Sequence, residues 1–212
     1  MIGGALALAS CAGTPYFVAD DEPWREDAEI ACLRSGAVQA SAFVAERPTL
    51  DGPSTCGAVR PFTVQAAMNG AVRLNPPALV QCAMVANIDR WVAQVVNPAA
   101  HYYFGMGVAE LKVLASYSCR PRNGIRGGKL SEHGHANAVD IGAFRLIDGR
   151  EIKVLTGWSG SQQERAFLRA IHDGGCRHFT TVLGPNADRF HRDHFHFDLA
   201  RHGRKGTHRV CQ

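Results

Sequence analysis

Three histidines fall within HRDHFHFD: His191, His194 and His196, with Asp193 and Asp198 among them. The chain holds ten histidines in 212 residues, so such a cluster stands well above background. As a strand, the stretch puts His194, His196 and Asp198 on one face and Phe195, Phe197 and Leu199 on the other, because side chains alternate. The phenylalanine face then belongs to the core and the histidine face lines a cleft. A solvated polar strand face is the plainer alternative. A second segment, SEHGHANAVDIGAF, carries Ser131, His133 and Asp140. Spacing alone says little there, because His191 and Asp198 repeat it. The setting says more. Gly134, Ala136 and Ala138 make a turn-rich loop feeding a strand, on which Val139 and Ile141 face away from Asp140.

His133, Asp140 and His196 supply two imidazoles and a carboxylate, a borderline set that suits one zinc ion and leaves the fourth tetrahedral position for water. Zinc held this way brings the pKa of its water to about 7 and polarises a carbonyl. A base must carry the proton to the leaving amine, and Asp193, His191 and His194 are the candidates. Arg120 is a candidate for binding a substrate carboxylate or a tetrahedral oxyanion; simple solvation is the alternative. His101, His135, His172, His178, His202 and His208 lack partners at ligand spacing and read as surface or packing residues.

The elements that must position these groups are strands at 113–119, 138–146, 151–155 and 194–199, with Asp148-Gly149 turning between the middle two. A helix over 161–173 is capped by Ser159 or Ser161 and ended by Gly174-Gly175. Earlier, turn signals break the chain at Pro48, Asp51-Gly52-Pro53, Pro61 and Asn75-Pro76-Pro77. Asn69-Gly70 predicts a hairpin. Apolar positions from Leu79 to Val95 predict a helix over 78–96, with Pro77 in its first turn. Three or four strands with flanking helices and no βαβ rhythm predict an α+β fold around a small antiparallel sheet. Residues 27–100 are expected to be mostly helical and 101–212 to carry the metal site.

Hydrophobic residues make up 46% and charged residues 20%, enough to bury a core in one domain, expected to be monomeric. The net charge of +4 is spread along the chain. It suits an anionic partner such as cell wall, while the lack of a basic block or aromatic-interleaved stripe argues against nucleic acid. No apolar run approaches the ~18 residues of a spanning helix. Residues 1–10 are small and apolar, and Leu8-Ala9-Ser10-Cys11 looks like a bacterial lipobox, although no basic residue precedes it. Residues 12–26 then read as a tether and 27–212 as the folded domain. Without Cys11 six cysteines remain, an even number suited to three disulfides in an oxidising compartment. The absence of any CxxC pair argues against a cysteine zinc site. Of fifteen possible pairings, the shortest loops favour Cys32–Cys56, Cys82–Cys119 and Cys176–Cys211.

YSCR (117–120), SEH…ANAVDIGAF (131–144), LGP (183–185) and HRDHFHFDLA (191–200) give the chain, over roughly 30–212, a resemblance to the bacterial extensin-like C-terminal domain family. More distantly it is similar to the LAS zinc peptidases, namely lysostaphin-type enzymes, D-Ala-D-Ala peptidases and the hedgehog signalling domain. Their signature is SxHxxGxAxD followed later by HxH. Ser131, His133, Ala138 and Asp140 match it, while Ala136 stands where those proteins usually have glycine. The resemblance implies that His196 is the third ligand and that His194 lies beside the metal. It likens the His191 spacing to the penicillin-insensitive murein endopeptidases. Asp193 falls where D-Ala-D-Ala dipeptidases carry their acidic base, and Arg120 resembles the substrate arginine of the D-Ala-D-Ala peptidases. The implied activity is zinc-dependent cleavage of peptidoglycan crosslinks or stem peptides in the periplasm, from a lipid anchor on Cys11. The hedgehog precedent implies the alternative of a catalytically silent, zinc-bearing wall-binding or signalling module. The proline-rich repeats of plant extensins are absent.

Overall fold

Local signals account for most of the elements in a computed structural model that describes residues 15–212. The lipobox-like segment and Cys11 lie outside the described residues. Helix α1 (Trp24–Ser35) begins inside the stretch expected to be a tether, with Glu26 and Asp27 favourably placed in its first turn and Gly36 (φ 66°) closing it. Strands β1 (Val44–Glu46), β2 (Leu50–Asp51), β3 (Gly57–Ala58), β4 (Phe62–Ala67) and β5 (Val72–Val80) follow. The expected hairpin joins β4 to β5, with Asn69 at φ 51° and Gly70 at φ 98°. Residues 27–100 therefore carry five strands beside their helices, which departs from the mostly helical expectation.

The helix predicted from 78 starts later, as α2 (Cys82–Trp91). Ala78 and Val80 pair instead with Val64 and Phe62 in β4, and both are fully buried. Sheet pairing overrides their helical periodicity. A π turn (Val92–Val96) carries α2 into α3 (Asn97–Phe104). Next come β6 (Val108–Ala115), β7 (Ala138–Leu146), β8 (Glu151–Lys153), α4 (Val154–Gly157) and α5 (Gln162–Gly175). A capping box between Ser161 and Glu164 starts α5, which selects Ser161 over Ser159. Strands β9 (Thr181–Leu183), β10 (Phe195–Asp198) and β11 (Val210–Cys211) complete the chain.

The α+β class holds, but the sheet is large and mixed where a small antiparallel one was expected. Its nine strands run β1-β4-β5-β6-β7-β10-β9-β11, with β8 pairing β7. The helical run α2–α3 returns β6 parallel to β5, and β11 lies parallel to β9. Strands as short as β1, β9 and β11 carry no readable periodicity. Trp91 anchors the helices to the sheet, with ring centroids 4.5 Å from Phe197 and 6.1 Å from Phe144 and Phe179.

Three disulfides are present, and two differ from the shortest-loop expectation. Cys176–Cys211 is as expected, whereas Cys32 joins Cys82 and Cys56 joins Cys119. Helix α1 lies across the start of α2, and the β2–β3 ribbon carries Cys56 to the segment after β6. Spatial neighbours decide the pairing, whatever the sequence separation. The Cys56–Cys119 bond closes a separation of 63 residues. Replacing both cysteines with serine is expected to cost about 4 kcal/mol in urea unfolding. A midpoint unchanged from the parent would show that this loop is already constrained without the bond.

Candidate metal centre

Strand β10 has two working faces. Phe195 and Phe197 are fully buried in the core. His196 and Asp198 point the other way, into an open cleft of about 590 Å³. The antiparallel register sets His196 directly opposite Asp140 of β7. His133 arrives from a 3-10 turn (Glu132–His135) that ends at Ala136, whose φ of 50° lies in the left-handed region. An alanine held there costs on the order of 1 kcal/mol.

The ligand atoms of His133, Asp140 and His196 lie within 4.8 Å of one another, and all three residues are buried. His133 Nδ1 donates to the Ser116 carbonyl at 2.5 Å, which leaves Nε2 as the nitrogen turned toward Asp140. That Nε2 is 3.2 Å from Asp140 Oδ2 without a hydrogen bond, and it is buried with no other partner among the described residues. Asp140 Oδ1 accepts from His196 Nδ1 at 2.9 Å, and Asp198 Oδ2 accepts from His196 Nε2 at 2.9 Å. Tetrahedral zinc with bonds of about 2.0–2.1 Å needs ligand atoms roughly 3.3 Å apart. The His133–Asp140 and Asp140–His196 spacings of 3.2 and 2.9 Å are near that, and the buried His133 Nε2 has no hydrogen-bond partner among the described residues. The donor set fits one zinc ion.

Asp198 supplies what the ligands themselves do not. A carboxylate on the far nitrogen of a ligating histidine fixes its tautomer and raises its basicity. Burial opposes charge on His196, yet hydrogen bonds to Asp140 and Asp198 and their negative charges lift its pKa to about 10. Burial likewise opposes charge on Asp140, and His133 and His196 overcome it to hold the carboxyl well below its ordinary range. Asp198→Asn is expected to weaken zinc binding roughly 10- to 100-fold in chelator competition. Unchanged affinity would reduce Asp198 to a packing role.

The other expected residues divide. His191, His194 and Arg120 line the cleft with the three ligands; Asp193 does not. The Asp193 side chain is 57% exposed, and its carboxylate accepts from His194 Nδ1 at 2.8 Å. His194 Nε2 lies 3.6 Å from Asp140 Oδ1. His191 is held in the same manner by Asp188, at 2.8 Å. Burial keeps the His191 pKa below its ordinary value despite that carboxylate. Among the described residues, the Arg120 guanidinium hydrogen-bonds only the Pro121 carbonyl, at 3.4 Å, and Arg122 shares its end of the cleft. His202, expected to be a surface or packing residue, lines the cleft and bonds the Thr181 hydroxyl at 2.7 Å. Asp188 and the Ser116 carbonyl are missed by reasoning from sequence. An acid three residues before His191 was the available signal for Asp188, whereas no side-chain pattern marks a carbonyl.

The chain matches the family described as extensin-like protein C-terminus over residues 30–212. No curated protein and no solved structure matches it.

Proposed function

Given that the chain belongs to the family of extensin-like protein C-termini, we propose that it is a zinc-dependent peptidase that hydrolyses peptide bonds of peptidoglycan in the cell envelope. One observation carries the reading. The buried His133 Nε2, lacking a hydrogen-bond partner among the described residues, faces Asp140 and His196 in an open cleft. The likeness of SEHGHANAVD and HFH to the LAS signature supports a LAS-like arrangement of these residues. Three disulfides and the lipobox-like LASC support a periplasmic, lipid-anchored location.

His133, Asp140 and His196 would hold the zinc. When bound, the ion supplies Lewis acidity toward the scissile carbonyl and toward water. His194, oriented by Asp193, accepts a proton from the attacking water as the new C–O bond forms. It then delivers that proton to the amine nitrogen as the C–N bond breaks. His191, oriented by Asp188 and kept neutral by burial, presents its other nitrogen to the cleft as a second proton acceptor. Arg120 and Arg122 give one end of the cleft its positive charge and receive a carboxylate of the substrate. Asp193 is a positioning residue in this scheme, and His194 takes the role of base.

The test pairs zinc content with digestion of purified sacculi. About one zinc per chain and release of muropeptides is the expected result. A chain without zinc under metal-preserving conditions would sink the reading. Zinc without cleavage would point to the silent wall-binding module.

A further inference from the structure

The turn that presents His133 is gripped from outside by the first helix. Arg25, in the first turn of α1, makes a two-pronged bond to Glu132, with Nη1 to Oε2 at 2.9 Å and Nη2 to Oε1 at 2.7 Å. Glu132 immediately precedes His133, and its side chain is only 5% exposed. The same carboxylate accepts from Asn137 Nδ2 at 2.6 Å, and the Asn137 side chain is in turn bonded by Gln81. Arg122 also pairs with it, but from 4.0 Å away and half-exposed. A buried carboxylate that loses its bidentate arginine is left with an uncompensated charge. It must then recruit water or swing outward, and the turn that carries His133 goes with it.

Two further contacts make the grip broader. Upstream of the helix, the Val18 amide donates to the Gly128 carbonyl at 2.8 Å and the Leu130 amide donates to the Val18 carbonyl at 2.7 Å. The N-terminal segment is thus bonded to the strand-like run that leads into Ser131 and the turn. On the other side, the Trp24 ring carries the Arg201 guanidinium at 4.1 Å. Arg201 follows closely on β10, the strand of His196. One short stretch, residues 16–25, therefore touches the approaches to both metal-bearing segments.

Building on the metal reading above, we propose that Arg25 is a positioning residue of the metal centre, holding His133 in ligating geometry through Glu132. The segment before the sheet is then a clasp on the site, and more than a tether. The proposal separates Arg25 from the ligands, because Arg25 touches none of them.

The experiment titrates cobalt(II), as a spectroscopic stand-in for zinc, into the metal-free full chain and its Arg25→Met, Arg25→Lys and Glu132→Gln variants. Arg25→Met is expected to bind one equivalent roughly 10- to 100-fold more weakly, with an altered visible spectrum. Arg25→Lys, which keeps the charge but loses the two-pronged bond, is expected to fall between Arg25→Met and the parent. Arg25→Met combined with Glu132→Gln is expected to be no weaker than the weaker single variant, since both act through one contact. Thermal melts read stability separately. A lower melting temperature with affinity and spectrum at parent values would overturn the proposal and leave Arg25 a purely structural residue. Lysine and methionine variants that both match the parent would overturn it as well. A parent that takes up no cobalt overturns the metal reading itself, and the clasp with it.

Discussion

His196→Ala is expected to abolish stoichiometric zinc binding, stop muropeptide release and weaken the metal-free fold, all in one substitution. The first two effects follow from losing one of the three proposed ligands. The third follows from its surroundings. His196 is 8% exposed and sits between Asp140 and Asp198, each 2.9 Å away. Removing the imidazole leaves two buried carboxylates without their shared partner, a loss of about 3–5 kcal/mol by analogy with broken buried ion pairs. His133→Ala provides the contrast. Its Nδ1 is bonded to a backbone carbonyl, and its Nε2 lies near one buried carboxylate, at 3.2 Å from Asp140, where His196 bonds two. Equal loss of zinc with a smaller loss of metal-free stability is therefore expected for His133→Ala. The checks are metal analysis and urea unfolding of the chelated proteins. A His196→Ala chain that still carries one zinc would remove His196 from the ligand set.

The second large effect belongs to His194. Its substitution by glutamine is expected to lower kcat by roughly 10²- to 10⁴-fold while zinc content stays at the parent level. Its Nδ1 is held by Asp193 at 2.8 Å and its Nε2 reaches toward Asp140 at 3.6 Å. The free nitrogen thus lies beside the metal-ready cluster without belonging to it. Asp193→Asn is expected to give a smaller loss, because Asp193 acts through the orientation of His194. The reverse order, with Asp193→Asn the more damaging, would restore Asp193 to the role of base. A His194→Gln enzyme within a few-fold of the parent would transfer that role to His191.

Two of the three clustered residues, Asp140 and His196, were legible because their neighbours are. Phe195 and Phe197 alternate with His196, and Val139 and Ile141 with Asp140, so each polar side chain is forced out of the core on its own strand. That the two strands pair with His196 opposite Asp140 is a register fact, which neither segment states alone. The residues that support them were harder to see for the same reason. The Ser116 carbonyl, Asp188 and Arg25 reach the site through turns or across more than a hundred residues, as between Arg25 and Glu132. Asp193 was assigned on its spacing to His196, yet it precedes β10 on an irregular stretch, where the strand alternation does not apply and its side chain turns to His194. In the fold, the helix periodicity that continues back to Ala78 conceals a strand, because pairing with β4 outweighs it. The two disulfides that differ from expectation have the same origin. Closing the shortest loops ignores the α1–α2 contact and the β2–β3 ribbon that bring Cys82 and Cys119 to their partners.

The four-residue β10 has His196 and Asp198 on its cleft face and two phenylalanines on its core face, and so joins the cleft to the core. The Trp91 ring lies tilted against that of Phe197, the residue after His196, with centroids 4.5 Å apart, and its indole N–H donates to the Ile171 carbonyl at 3.0 Å. Any shift of β10 as the site fills must pass through that ring pair, because the core around it is close-packed. The buried Trp91 thus lies on the far side of the proposed metal site, where its fluorescence would report filling of that site.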